Sequence, residues 1–176
     1  MSRRQYPSAR DLLEPGLQSG DARVDLALAE ANLRSDMTAA AVTILKHLLV
    51  NDPARVDDVA ALGASLTGEQ PDIGFVVVEC ALDCLVGRDD FDSALKIVER
   101  FVTAAPRHLP ALERFAQLCR IGRYEDTLYL AESELTEAYL IHRRFGEALR
   151  FAERLAALRP DVDRHQEQAR EARAGL

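Results

Sequence analysis

The chain has 176 residues, 48% of them hydrophobic and 29% charged, a composition ordinary for a soluble domain or one short solenoid. A net charge of −7, aromatics at 6% and no Trp argue against a nucleic-acid platform, which needs a basic stripe or stacking rings. Three cysteines at unrelated spacing, no apolar run of signal-peptide length and none near the ~20 residues of a membrane span point to a reducing, cytoplasmic setting with no membrane insertion.

Within residues 1–20, the stretch 8–13 reads as a short helix closed by Pro15-Gly16. From Ala22 onward, stretches with apolar residues at helical spacing follow one another: 22–34, 38–53, 56–66, 75–87, 91–106, 109–121, 129–141 and 145–160. A polar helix or tail over 161–176 closes the chain, with Asp161 or Asp163 as its N-cap. Polar breaks at Ser35-Asp36, Arg88-Asp89-Asp90 and His142-Arg143-Arg144 separate helix pairs, and Ser35, Asp36, Asp89 and Asp90 are candidate N-caps. No segment needs a strand. The expected fold is all-α, with about eight to nine helices in antiparallel hairpins forming one domain over 1–176.

The pattern repeats. Residues 91–106 align without a gap on 145–160, so that Phe91, Ala94, Leu95, Glu99, Arg100 and Pro106 recur as Phe145, Ala148, Leu149, Glu153, Arg154 and Pro160. A third copy, 38–53, keeps Ala41 and Pro53 and puts Leu45 and Leu48 at the matching apolar places. Proline ends each copy because its ring clashes with the preceding turn and it lacks the amide donor.

With the stretch before them, these segments resemble tetratricopeptide repeats, whose helix pairs span about 34 residues. The family's small or apolar positions fall on Val78, Ala81, Leu82, Leu85, Ala94, Val98 and Phe101 in one copy. In another they fall on Glu132, Leu135, Thr136, Tyr139, Ala148, Ala152 and Leu155, and in the first on Asp25, Leu28, Ala29, Asn32, Ala41, Leu45 and Leu48. The chain departs from the family in its period, since Pro53, Pro106 and Pro160 stand 53 and 54 residues apart. Extra helices at 56–66 and 109–121 fill the difference. Either the unit is three helices, or the chain is a run of alternating antiparallel helices in which 125–141 is one long helix serving both neighbours. Short links favour the second.

The resemblance implies an α-α superhelix, over 22–160, whose first helices line a concave groove. That groove would be formed by Arg23, Leu26, Glu30, Leu33 and Arg34, then Val76, Glu79, Asp83, Val86 and Gly87, then Leu130, Ser133, Glu137, Leu140 and Ile141. Aliphatics rimmed by acids suit a basic or amphipathic helix of a partner protein. The bland alternative is a solvated face with inter-repeat packing. Too few of these positions are basic for the clamp that other members close on the acidic tails of heat-shock chaperones.

No catalytic motif stands out. Cys80 and Cys84 share a helical face and are either a metal or redox pair or two small buried fillers; no His lies within a dozen residues, which favours fillers. His47, His108, His142 and His165 have no ligand spacing and read as surface residues. Glu132 and Glu134 read as decoration of a helix face. No metal or cofactor is expected. The expected role is a non-catalytic protein-binding scaffold. The alternative is a self-associating assembly protein that pairs through Val76, Val77, Val78, Leu140 and Ile141.

Overall fold

The structure, a computed structural model, describes residues 21–176, so the short helix expected at 8–13 lies outside the described residues. Nine α-helices and one 3-10 turn follow one another, with no strand among the described residues. The chain is all-α. It divides into two compact units, one ending at Ile97 and one running from Val98 to Leu176.

In the first unit, α1 (Ala22–Arg34) starts on Asp21, whose carboxylate accepts from the Arg23 amide at 2.9 Å. It pairs with α2 (Thr38–Asn51). The turn Pro53–Arg55 leads into α3 (Val56–Leu66), which pairs with α4 (Pro71–Val86), while α2 and α4 bring the two pairs together. Pro71 stands in the first turn of α4, where its missing N–H costs nothing. Leu28, Leu33, Leu45, Val59, Val77 and Leu82 are at most 1% exposed, and each such buried side chain stabilises by roughly 1.5–3 kcal/mol.

The division between the units falls within α5 (Phe91–Ala104). The second unit continues with α6 (Leu109–Gly122), α7 (Glu125–Ile141), α8 (Phe145–Leu158) and α9 (Asp163–Ala174). The unbroken α7 packs on both α6 and α8, and α9 lies on α8 and reaches α7. Links of a few residues oblige these neighbours to run antiparallel. The second unit therefore follows the alternating run.

The aligned segments fall on helices of equal length. The helices α2, α5 and α8 each span 14 residues, and Pro53, Pro106 and Pro160 each follow the helix end by two residues. Every small or apolar position carried by the resemblance is buried in all three copies, including the polar Asp25, Asn32, Glu132 and Thr136. The links repeat as well. Asp36, Asp89, Arg123 and Arg143 take φ of 61°, 57°, 61° and 57°. The following amides of Met37, Asp90, Tyr124 and Arg144 donate back to the carbonyls of Asn32, Leu85, Cys119 and Tyr139 at 2.8–3.0 Å. This is the Schellman closure of a helix C-terminus.

Two of the expected caps change role accordingly: Asp36 and Asp89 sit in the left-handed position and close the preceding helix. Asp90 does cap α5. Its carboxylate accepts from the Ser93 amide at 3.1 Å, and the hydrogen bonds from Ser93 hold its carboxyl below the usual range. The N-cap of α2 is Met37 rather than Ser35, and that of α9 is Val162 rather than either aspartate.

Candidate functional site

On α1 the stripe Asp25, Leu28, Ala29, Asn32 faces the core, which leaves Arg23, Leu26 and Glu30 on the adjoining stripe at the edge of the buried face. On α3 the buried stripe is Val59, Ala60, Gly63, and Asp58, Ala61, Leu62 and Ser65 flank it. The two flanking stripes form the walls of an open groove of about 590 Å³, with Leu26, Ala27, Ala61 and Leu62 as its aliphatic part. Three of its four charged side chains are paired within the chain. Glu30 pairs with Arg34 four residues on, and Arg55 pairs with Asp52 and Asp58, each at 3.2 Å. These pairs are half-exposed, so they screen each other more than they stabilise. The groove is thus close to neutral rather than acid-rimmed.

Only Arg23, Leu26 and Glu30 of the sequence-predicted residues line this groove; Arg34 reaches it through Glu30. Leu33 does not belong to any exposed face. It is 1% exposed, because Ala31, Asn32 and Leu33 are all covered at the C-terminal end of α1. The wall from α3 was missed because its sequence reads as a spacer between hairpins. The same stripe rule applied to 56–66 would have found it.

The residues expected from α4 go elsewhere. Val76 is 40% exposed, Glu79 and Val86 are half-buried, and Asp83 lines a second, apolar groove between the C-terminal ends of α2 and α4. Cys80 and Cys84 border that groove with Val50 and Leu49. The Cys80 thiol donates to the Val76 carbonyl at 3.5 Å, and burial pushes it up to about 11. A thiol held protonated is a poor nucleophile and a poor ligand. All three cysteines are free, and no group of three His, Cys, Asp or Glu side chains suited to a metal occurs among the described residues.

In the second unit, the five expected positions on α7 are divided, with Ile141 47% exposed. Leu130 is 60% exposed and borders a groove with the end of α8. Ser133 and Leu140 are half-buried. Glu137 is paired with Arg164 of α9, so the chain's own last helix occupies that position.

Two residues read as surface are core. Glu132 is 2% exposed, and its Oε1 accepts from Arg120 of α6 at 3.0 Å and from Arg154 of α8. His165 is 1% exposed. Its Nε2 lies 2.7 Å from the Tyr129 hydroxyl and its Nδ1 3.4 Å from Gln168 Oε1. His108 is half-buried and caps α6, its Nδ1 accepting from the Ala111 amide at 3.2 Å. In Glu132 the sequence did carry a signal, since it falls where the repeat pattern is buried.

Comparison of the chain with protein-family models returns no match, and comparison with curated proteins returns none either. No helix among the described residues is long and apolar enough to cross a membrane.

Proposed function

We propose that the chain is a non-catalytic interaction module of tetratricopeptide-like helical-repeat build, seating a segment of a partner protein in the groove between α1 and α3. The observation that carries this reading is the groove itself: two helices of different hairpins present half-buried leucines, Leu26 and Leu62, across an open aliphatic trough whose charges are already balanced. Burial of every repeat position in three copies supports the family resemblance on which the class of function rests. A near-neutral trough suits an amphipathic segment that anchors through aliphatic side chains, with charge deciding register rather than affinity. Three free thiols fit a reducing compartment such as the cytoplasm.

The test is capture with a photo-crosslinking residue placed at Ala61, compared between the native chain and the Leu26→Ser/Leu62→Ser variant. A partner band lost in the variant, with helicity by circular dichroism unchanged, is the expected result. Equal capture by both sinks the reading.

Self-association is the second reading: of the residues expected to carry it, Val77 and Val78 are core at 0% and 1% exposed and Leu140 is half-buried, whereas Val76 and Ile141 are 40% and 47% exposed, and Leu130 is 60% exposed. Light scattering over a hundredfold range of concentration decides it, because a constant monomer mass removes it.

A further inference from the structure

We propose that the groove between the first turns of α7 and the end of α8 is a separate docking surface, and that its occupant is a basic amphipathic helix of a partner protein. The groove has a volume of about 690 Å³ and belongs entirely to the second unit. Leu130 and Leu158, from two helices, converge on it while 60% and 62% exposed. Isolated exposed leucines are normal; two large ones sharing a groove beside the half-buried Leu128 and Tyr129 form an apolar floor that water covers poorly.

Charge selects the occupant. Glu125 and Asp126 stand exposed on the rim, and neither forms an ion pair with any described residue. Their placement at the α7 N-terminus favours the helix dipole by a few tenths of a kcal/mol to about 1 kcal/mol each, but that leaves the leucines unexplained. The one cation lining the groove, Arg159, is engaged by Asp161 at 3.2 Å and lies 5.8 Å from the Tyr129 ring. Deeper in, Glu132 bridges Arg120 and Arg154, which leaves that triad one positive charge against the two negative charges of Glu125 and Asp126. The unbalanced charge of the rim is therefore negative.

No strand edge occurs among the described residues, so a helix seating aliphatic side chains between Leu130 and Leu158, with Lys or Arg toward Glu125 and Asp126, matches the surface. No residue of the α1–α3 groove takes part, so either site can fail alone.

The probe is a fluorescent synthetic Leu/Lys amphipathic helix, titrated by anisotropy against the full chain, with a Leu/Glu counterpart as control. Saturable binding is expected for the Leu/Lys helix and none for the counterpart. Leu130→Ser/Leu158→Ser should weaken it at least about tenfold. Glu125→Gln/Asp126→Asn should weaken it and flatten its salt dependence, and Leu26→Ser/Leu62→Ser should leave it unchanged. Equal affinity of the folded leucine variant, or equal binding of both helices, overturns the proposal. So does a dimer of the native chain that the leucine variant abolishes, because the occupant is then a second copy. Should the leucine variant unfold, the charge reversal Glu125→Lys/Asp126→Lys decides: a switch of preference to the Leu/Glu helix supports the proposal, and an unchanged preference overturns it.

Discussion

Gly63 of α3 and Gly74 of α4 meet backbone to backbone: a Cβ on either would stand 2.7 Å from the carbonyl oxygen of the other. A Cβ on Gly63 would also come within 2.6 Å of a Val78 methyl. The Gly74 carbonyl cannot retreat, because it stands inside the α4 ladder. Alanine is normally about 1 kcal/mol better than glycine inside a helix. Here overpacking, at about 1–3 kcal/mol, outweighs that gain. Gly63→Ala and Gly74→Ala are each expected to lower stability by roughly 1–2 kcal/mol in urea titration. A stabilised variant would mean that the helices can separate at no cost.

That crossing also marks how far the sequence could be read. Gly63 and Gly74 lie inside apolar stretches, but sequence alone does not pair them. The helices α2, α5 and α8 were legible because three signals agreed at each: apolar spacing, an alanine at Ala41, Ala94 or Ala148, and a proline two residues past the end. The groove was only half legible. Arg23, Leu26 and Glu30 could be placed by their offset from a buried stripe, whereas their facing wall depends on how α3 packs. Glu132 was misread because its arginines come from helices before and after its own, at positions no local pattern links.

The four left-handed link residues carry side chains that the conformation disfavours. Arg123 adopts φ 61° and ψ 37° where glycine is the usual occupant. A non-glycine residue in this region costs about 1–2 kcal/mol, part of which a glycine returns to unfolded-chain entropy. Arg123→Gly and Arg143→Gly are each expected to raise stability by about 0.5–1 kcal/mol with an unchanged denaturant slope. A fall in midpoint for both would show that these arginines make compensating interactions.

The last helix is held by polar groups. Beneath α9 the buried side chains are His165, Gln168, Ala169 and Ala172, and its ion pairs, Arg164 to Glu137 and Arg173 to Glu153, are exposed. If Gln168 accepts from Nδ1–H, Nε2 of a neutral His165 accepts from the Tyr129 hydroxyl. Tyr129→Phe then leaves a buried acceptor unpaired, at about 1–3 kcal/mol. Amide exchange should accelerate across 163–174 while α6 stays protected. Uniform acceleration through the second unit would mean that α9 opens only with the whole unit.

Alkaline pH should weaken the fold before it ionises the core. Burial pushes the thiols of Cys80 and Cys119 up to about 11, and burial together with the hydrogen bond to Glu113 takes the Tyr139 hydroxyl to about 12. A thiol ionising near 9 in the unfolded chain but near 11 in the fold contributes stability that is complete below pH 9 and is lost as pH rises toward 11. Stability measured by urea titration should therefore decline from pH 9 upward. Cys80→Ala/Cys119→Ala should flatten the decline, while costing packing at neutral pH. An identical slope in that variant would assign the loss to other groups.

Glu132 gives the sharpest discrimination, because its triad is asymmetric. The carboxylate is buried, whereas the side chains of Arg120 and Arg154 are 53% and 46% exposed. Removing the acid leaves two cations that water can solvate. Removing both cations leaves a buried anion with no counter-charge, the costly case, at about 3–5 kcal/mol. Glu132→Gln is therefore expected to cost about 1–2 kcal/mol, and Arg120→Gln/Arg154→Gln about twice that or more. The triple variant should be more stable than the double, because the amide needs no counter-charge. The order of midpoints in one set of urea titrations settles it. If the double arginine variant were the milder lesion, the carboxylate would have to be hydrated in the fold, and Glu132 would belong to the α7–α8 groove as a third acid open to a partner.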